Sequence, residues 1–358
     1  MDKDMMSGNP KVTVLMPVFN GEQYLREALQ SILSQTFGDF EFLIIDDGST
    51  DRSVEIIHSY HDPRIHLVRN EKNRGVIAAL NRGIELAHGE YVARMDCDDI
   101  SLPQRLHRQV AFMDTHPEIG VCGTWFRRFG GPDPVVDRPP TDPDKIRCGH
   151  FFNSRLGHPT VMMRTHVFRQ HALYFDKSYP HAEDFELWVR TLAFFDIANI
   201  GEVLLLYRVH GGQVSERFTA EMMESSGRVR KAQLARLGLR VTDRELEFHQ
   251  SVCTSRFTAS VSFMEAADAW LCRIKESNDA LKTYPEPAFS EVLLERWFSL
   301  CYRTVEKGLR MPWLFLNPKL LKKTGLGRPW VARFLARAAF DMVRDRLNGS
   351  SIYHHPLL

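Results

Sequence analysis

The sequence predicts an α/β protein in which a mainly parallel sheet carries helices on both faces, followed by a mainly helical C-terminal region. Three observations lead there. Over the first hundred residues, short apolar runs rich in β-branched residues alternate with segments of helical periodicity. Three of the first four strands end in unusual polar sequence. From about Phe218 onward the texture changes to helical segments with few strand signals.

Val12-Thr13-Val14-Leu15-Met16 reads as a buried strand closing at Pro17. A helix pattern follows from about Gly21 to Gln35, with Tyr24, Leu25, Ala28, Leu29, Ile32 and Leu33 on one face. Asn20 and Gln23 predict a capping box at its start. Phe42 to Ile45 forms the second strand and breaks into Asp46-Asp47-Gly48-Ser49-Thr50-Asp51, a turn and helix start. Ile65 to Val68 gives a third strand, and Ile77, Leu80, Ile84 and Ala87 mark a helix stopped by Gly89. Tyr91 to Met95 is the fourth strand and runs into Asp96-Cys97-Asp98-Asp99. Such alternation implies right-handed crossovers, and ligands then bind beyond the carboxyl ends of the strands. The polar ends at Pro17–Glu22, Asp46-Asp47 and Asp96–Asp99 should therefore converge on one edge.

Further along, Ser101-Leu102-Pro103-Gln104 opens a helix with a second capping-box pattern and a proline in its first turn. Phe129 to Asp144, rich in Gly, Pro and Asp, reads as a long loop of the kind that forms lids or binding segments. Thr160 to Met163 and Val203 to Tyr207 read as strands, and Glu183 to Ala193 as a helix. The change of texture divides the chain into residues 1–217 and 218–358.

Composition narrows the class. The 358 residues suffice for two domains, and 46 Lys+Arg against 45 Asp+Glu leave no overall field to attract nucleic acid. Cys97, Cys122, Cys148, Cys253, Cys272 and Cys301 are scattered without zinc spacing and read as reduced thiols. Met1 to Pro10 lacks an apolar signal core, and no apolar run approaches the ~20 residues of a membrane span. The expectation is a cytoplasmic protein, able to lie peripherally on the inner face of the membrane. Between Cys301 and Asn348, eleven basic residues are opposed by Glu306, Asp341 and Asp345 alone. Trp313, Phe315, Leu320, Trp330 and Phe334 are interleaved with them, and Pro312, Pro318 and Pro329 divide the stretch into short helices. Such helices suit an anionic membrane surface; alternatively they pack on the first domain with their basic residues in water.

The strand ends carry the chemistry. Asp96, Asp98 and Asp99 crowd three carboxylates into four residues, which repel unless a hard divalent cation such as Mg2+ or Mn2+ neutralises them. A nucleotide diphosphate would complete such a shell; the alternative is helix capping in solvent. Asp46-Asp47 suits either a helix N-terminus or a carboxylate accepting a base N–H. Glu183 and Asp184 stand at a helix start, where acids are common but where a carboxylate near a metal also suits a general base.

Taken in order, Pro17-Val18-Phe19-Asn20-Gly21-Glu22, Asp46-Asp47-Gly48-Ser49-Thr50-Asp51, Asn73-Arg74-Gly75, Asp96-Cys97-Asp98-Asp99 and Glu183-Asp184 closely resemble the motifs of the family 2 glycosyltransferases, which have the GT-A fold. The likeness spans about Lys11 to Ser215 and extends to Ala182–Trp188 and Tyr207-Arg208-Val209-His210. It implies an inverting enzyme that moves a sugar from a nucleotide-sugar donor, with uridine diphosphate the favoured carrier, to a glycan or lipid-linked acceptor in surface polysaccharide or glycolipid synthesis. Pro17, Phe19 and Glu22 would line the nucleotide pocket, Asp47 would bind the base, and Asn73 with Gly75 would shape the floor. Asp96 and Asp98 would form the DxD motif that contacts donor ribose, metal and diphosphate. His210 would be a further metal or phosphate ligand, or would simply cap a strand end. Asp184 matches the catalytic base, with Glu183 orienting it or the acceptor, and His158-Pro159 should lie near the acceptor. Two rivals stand beside this reading. A sugar-phosphate nucleotidyltransferase would carry a Gly-rich basic loop where Pro17–Glu22 stands, and a non-catalytic binding module would have no need of Asp98 or Asp184.

Overall fold

The structure is a computed structural model and describes residues 9–131, 134–211, 219–306, 318–327 and 329–336. The chain forms two compact units. One comprises Met1–Thr141 and Leu156–Phe218, the other Asp142–Arg155 and Thr219–Leu358.

The first unit is built on β1 (Val12–Val18), β2 (Phe40–Asp46), β3 (Ile65–Arg69) and β4 (Tyr91–Arg94). β1 pairs in parallel with both β2 and β4, and β2 pairs in parallel with β3. Every residue of β1 and β2 is buried, as expected of central parallel strands covered on both faces. The intervening helices are α1 (Leu25–Leu33), α2 (Ser53–His58) and α3 (Val76–Leu86). Leu25, Ala28, Leu29 and Ile32 of α1 are fully buried in one cluster with Val14, Met16 and Phe42. Each large apolar side chain so buried contributes about 1.5–3 kcal/mol.

Beyond β4 the sheet is mixed, where the alternation predicted a mainly parallel one. β5 (Ile100–Ser101) and α4 (Arg105–Thr115) precede β6 (Ile119–Phe129) and β7 (Val135–Asp137). The three-residue 3-10 turn His158–Thr160 leads into β8 (Met162–Arg164). The order across the sheet is β3-β2-β1-β4-β8-β6-β9-β5, with β7 pairing β6 and β9 spanning Asp196–Arg208. β8 runs antiparallel to β4 and β6, whereas β9 runs parallel to β6. Part of the predicted Phe129–Asp144 loop is thus strand β7, and Pro143 already opens a helix. Both predicted capping boxes fail for the same reason, because longer-range partners claim the side chains. Asn20 Oδ1 accepts the Thr50 N–H at 2.9 Å, and α1 starts only after Tyr24. Ser101 lies in β5, where its Oγ accepts from Gln35 Nε2 at 3.2 Å, and α4 starts at Arg105.

The second unit contains α5 (Pro143–Gly149), α8 (Thr219–Arg236), α9 (Asp243–Thr254), α10 (Val261–Leu281), α11 (Ala288–Glu306) and α12 (Lys319–Thr324). Phe151 and Phe152 join its core with Leu271, Phe289, Trp297 and Leu320. The segment Asp142–Arg155, which the sequence reading carries within residues 1–217, therefore belongs by its contacts to the helical unit. Asp268 accepts the N–H groups of Lys319 at 2.8 Å and Leu320 at 3.0 Å, fixing the start of α12. Trp330 is 9% exposed and belongs to this core, and Phe334, partly buried, stacks on it at 5.3 Å, so both rings expected at a membrane surface pack within the helical unit. Trp313 and Phe315 lie outside the described residues. Among the described residues no helix is long and apolar enough to cross a membrane.

Candidate active site

The parallel register places the ends of β1, β2 and β4 on one edge of the sheet. The first loop, Phe19 to Glu22, is tied to the turn after β2. The Asn20 N–H donates to Ser49 Oγ at 2.9 Å, Gly21 N–H to Ser53 Oγ at 2.8 Å, and Glu22 N–H to Asp51 Oδ2 at 3.0 Å. Glu22 Oε2 in turn accepts the Arg52 N–H at 3.0 Å. Glu22 thus stabilises the start of α2 while itself exposed, Pro17 is buried inside β1, and Phe19 is 45% exposed.

Asp47, 3% exposed, holds the next loop. Its carboxylate accepts Asn70 Nδ2 at 2.6 Å, the Gly75 N–H at 2.8 Å and the Arg74 N–H at 3.0 and 3.1 Å on its two oxygens. A carboxylate has about four acceptor sites, so a base N–H would have to share them with this loop. Asn73 Oδ1 also accepts the Gly75 N–H, at 2.9 Å. Gly48 is required here: at φ +78 its Cβ would lie 2.8 Å from the backbone carbon of Lys72 and 2.9 Å from the nitrogen of Asn73. Asp46, fully buried, accepts Arg69 Nε at 3.2 Å instead of capping a helix.

The loop after β4 brings Asp96, Asp98 and Asp99 together, one carboxylate oxygen of each lying within 4.8 Å of the others. Arg94 Nη1 donates to Asp96 Oδ2 at 2.5 Å. Burial raises the pKa of Asp96, with Arg94 opposing and Asp98 adding to the rise. Asp99 Oδ1 accepts the Arg208 N–H at 2.8 Å, while its buried Oδ2 has no partner. Burial, then the charges of Asp96 and Asp98, push its pKa well up. His210 Nε2 lies 3.0 Å from Asp98 Oδ2, and its ring is 5.0 Å from that of Tyr24. An all-oxygen cluster with one buried, unpartnered oxygen and an imidazole alongside fits a hard divalent cation.

α6 (Thr165–Gln170) precedes α7 (Glu183–Thr191), which opens on the acid pair just after His181, whose φ of 61 is left-handed. Asp184 Oδ1 accepts the Phe185 N–H at 2.7 Å, and burial raises its pKa against that bond and the Arg94 charge. Glu183 is 8% exposed with Oε2 buried and unpartnered. Burial, reinforced by Asp184, pushes its pKa up to about 7. Two neighbouring carboxyls whose protonation is displaced toward neutral pH form a candidate acid–base pair.

Two arginines carry roles not assigned from sequence. Arg94, 5% exposed, acts on Asp96, Glu183 and Asp184 at once. Arg208 donates from Nε to the Asp98 carbonyl at 2.7 Å and from Nη2 to Glu27 at 3.1 Å, and its guanidinium lies over the rings of Tyr24 and Phe129. For Arg94 the available signal was an arginine at the end of an apolar run, two residues before an acidic cluster; Arg208 also ends an apolar run but has no acidic cluster beside it in sequence. Arg105 supports the floor: fully buried, it donates to the Arg94 carbonyl at 2.6 Å and to Gln109 Oε1 at 3.0 Å. Burial lowers its pKa to about 9.

Residues 13–173 match the profile of the family described as Glycosyl transferase family 2. An uncharacterised glycosyltransferase of Haemophilus influenzae is 32% identical over 240 residues, covering 63% of this chain and 74% of its own. The putative glycosyltransferase EpsE of Bacillus subtilis is 36% identical over 192 residues, covering 52% and 68%. The amylovoran biosynthesis glycosyltransferase AmsE of Erwinia amylovora is 30% identical over 233 residues, covering 62% and 85%. Among solved structures, S. aureus TarS 1-349 in complex with UDP-GlcNAc superposes with a TM-score of 0.54 at 20% identity, over 83% of this chain and 88% of that one. The mannosyltransferase PcManGT of Pyrobaculum calidifontis, in complex with GDP-Man and Mn2+, gives 0.51 at 15% identity over 90% and 88%. The match of sequence, fold and clustered motifs shows that the chain belongs to the family 2 glycosyltransferases, with the GT-A fold.

Proposed function

We propose that the protein is an inverting, metal-dependent glycosyltransferase that moves a sugar from a nucleoside-diphosphate sugar to an acceptor hydroxyl during polysaccharide or glycolipid assembly. The observation that carries this reading is the meeting of two groups in one unit: the Asp96–Asp98–Asp99 oxygen cluster and the buried Glu183–Asp184 pair. UDP-GlcNAc in TarS, and GDP-Man with Mn2+ in PcManGT, support a nucleotide-sugar donor and a divalent cation. AmsE, named for amylovoran biosynthesis, supports a polysaccharide product, and we favour uridine diphosphate as the carrier.

Asp98, His210 and the free Oδ2 of Asp99 are the groups that would hold the cation. Bound there, it would neutralise charge on the departing diphosphate. Asp96, braced by Arg94, orients the donor ribose, and the exposed ring of Phe19 borders the base. Asp184 takes the proton of the acceptor hydroxyl as that oxygen attacks the anomeric carbon opposite the leaving group. One displacement inverts the configuration and needs no protein nucleophile, so two carboxyls with distinct environments suffice. Glu183 positions the acceptor beside Asp184. We also infer that the basic C-terminal stretch draws the enzyme to an anionic bilayer, where lipid-linked acceptors concentrate.

A panel of nucleotide sugars screened by thermal shift, with and without Mn2+, tests the reading. At a hundredfold excess over Kd a bound donor stabilises by about 2.7 kcal/mol. The expected result is a Mn2+-dependent upward shift for uridine diphosphate and at least one of its sugars. Absence of any shift across the panel contradicts the proposal.

A further inference from the structure

Asp96, Asp98 and Asp99 lie on one loop, and carboxylates gathered this closely repel one another. Holding them together before a cation arrives calls for a brace from outside the loop. Strand pairing brings one. The acid loop runs directly into β5, which pairs antiparallel with β9 at Ile100–Leu206 and Ser101–Leu205. Carried two residues outward, the same register sets Arg208 opposite Asp98.

Arg208 grips the loop at two points. Its Nε donates to the Asp98 carbonyl at 2.7 Å, and its backbone N–H donates to Asp99 Oδ1 at 2.8 Å. The guanidinium is itself held, with Tyr24 at 4.4 Å, Phe129 at 4.5 Å and Glu27 Oε2 at 3.1 Å from Nη2. Its side chain is only 11% exposed, whereas Glu27 at the outer end is 56% exposed. Two residues on, the His210 ring packs on the same Tyr24 at 5.0 Å and places Nε2 3.0 Å from Asp98 Oδ2. Arg208 thus fixes the main chain of Asp98, and His210 meets its carboxylate.

We propose that Arg208 is a positioning residue for the cation: by holding the Asp98 carbonyl, it sets the direction of the Asp98 and Asp99 carboxylates before the metal binds. This role rests on the metal-dependent transferase reading and deepens its cation site. Groups that orient a metal ligand without touching the ion control affinity by about 10–100-fold. A direct hold on the diphosphate is disfavoured, because the guanidinium lies under two rings with Nε and Nη2 engaged by the protein. Lysine is no substitute: a single ammonium lacks the planar fork that reaches the carbonyl and Glu27 together and stacks on the rings.

The test uses the full chain, with Mn2+ and uridine diphosphate as probes. Calorimetry measures Mn2+ affinity at saturating uridine diphosphate, and uridine diphosphate affinity in EDTA. Arg208→Met keeps an apolar stem under the rings and removes the donors. It should weaken Mn2+ binding about tenfold or more, with metal-free uridine diphosphate affinity within about twofold of the wild type. Arg208→Lys, which keeps the charge without the fork, should still bind Mn2+ at least about threefold more weakly than the wild type. Arg208→Gln replaces Arg208→Met if the latter does not fold. Unchanged Mn2+ affinity in a folded variant, a parallel loss of metal-free uridine diphosphate affinity, or full recovery by Arg208→Lys each overturns the assignment. A wild type whose uridine diphosphate complex takes up no Mn2+ overturns the metal-dependent reading itself, a failure visible with Arg208 intact.

Discussion

Replacing Glu183 by Gln isolates the electrostatic cost of the acid pair. In the folded protein burial first, and the adjacent Asp184 second, push the Glu183 carboxyl from 4.5 up to about 7. A carboxyl with a raised pKa binds more protons folded than unfolded between those two values. Stability therefore falls as pH rises from about 4.5 to about 7 and is constant above. At ~1.4 kcal/mol per tenfold, the full displacement corresponds to about 3 kcal/mol. Glu183→Gln mimics the protonated form and lacks this penalty. The variant and the wild type should be equally stable near pH 4.5, and the variant more stable by about 2–4 kcal/mol at pH 8. Urea unfolding of metal-free protein at pH 4.5, 6, 7 and 8 reads the difference. A difference that stays flat across this range would show that Glu183 does not form a buried pair with Asp184.

Three further outcomes are expected. Asp98→Ala should abolish Mn2+-dependent binding of uridine diphosphate in calorimetry without unfolding the protein, because Asp98 is a half-buried loop residue and not part of the core. Gly48→Ala should destabilise by about 2 kcal/mol or more, since a left-handed backbone and the close approach of Lys72 both oppose a side chain; thermal unfolding checks it. In vesicle co-sedimentation the intact protein should pellet with anionic but not neutral vesicles at low salt and be released by high salt.

The half of the sheet made of β1 to β4 was legible because each strand is a contiguous apolar run and each polar cluster follows its strand directly. β6 was not: Gly120, Gly123 and a polar far end dilute its pattern, and its partners β8 and β9 lie more than thirty residues away in sequence. Pairing between distant strands leaves no local trace. The placement of Asp142–Arg155 in the helical unit was hidden for a similar reason, since Phe151 and Phe152 acquire their core partners from residues beyond 230. At the site, acids were readable as a cluster, but their division of labour was not. Asp47, expected to bind the base, also holds the loop that carries Asn70 and Gly75, a second duty that no local pattern displays. Glu22 likewise steadies α2. Arg94 gains its meaning from Asp96, Glu183 and Asp184, which only the fold assembles around it.

In the proposed metal-assisted transfer, Asp184 takes the acceptor proton. Release of nucleoside diphosphate, measured in wild type and Asp184→Asn with Mn2+ and the donor and acceptor at saturation, tests it most directly. The rate constant should fall by about 10²–10⁴-fold in Asp184→Asn, with Mn2+-dependent affinity for uridine diphosphate retained. A variant that keeps more than about half the wild-type rate constant would contradict it.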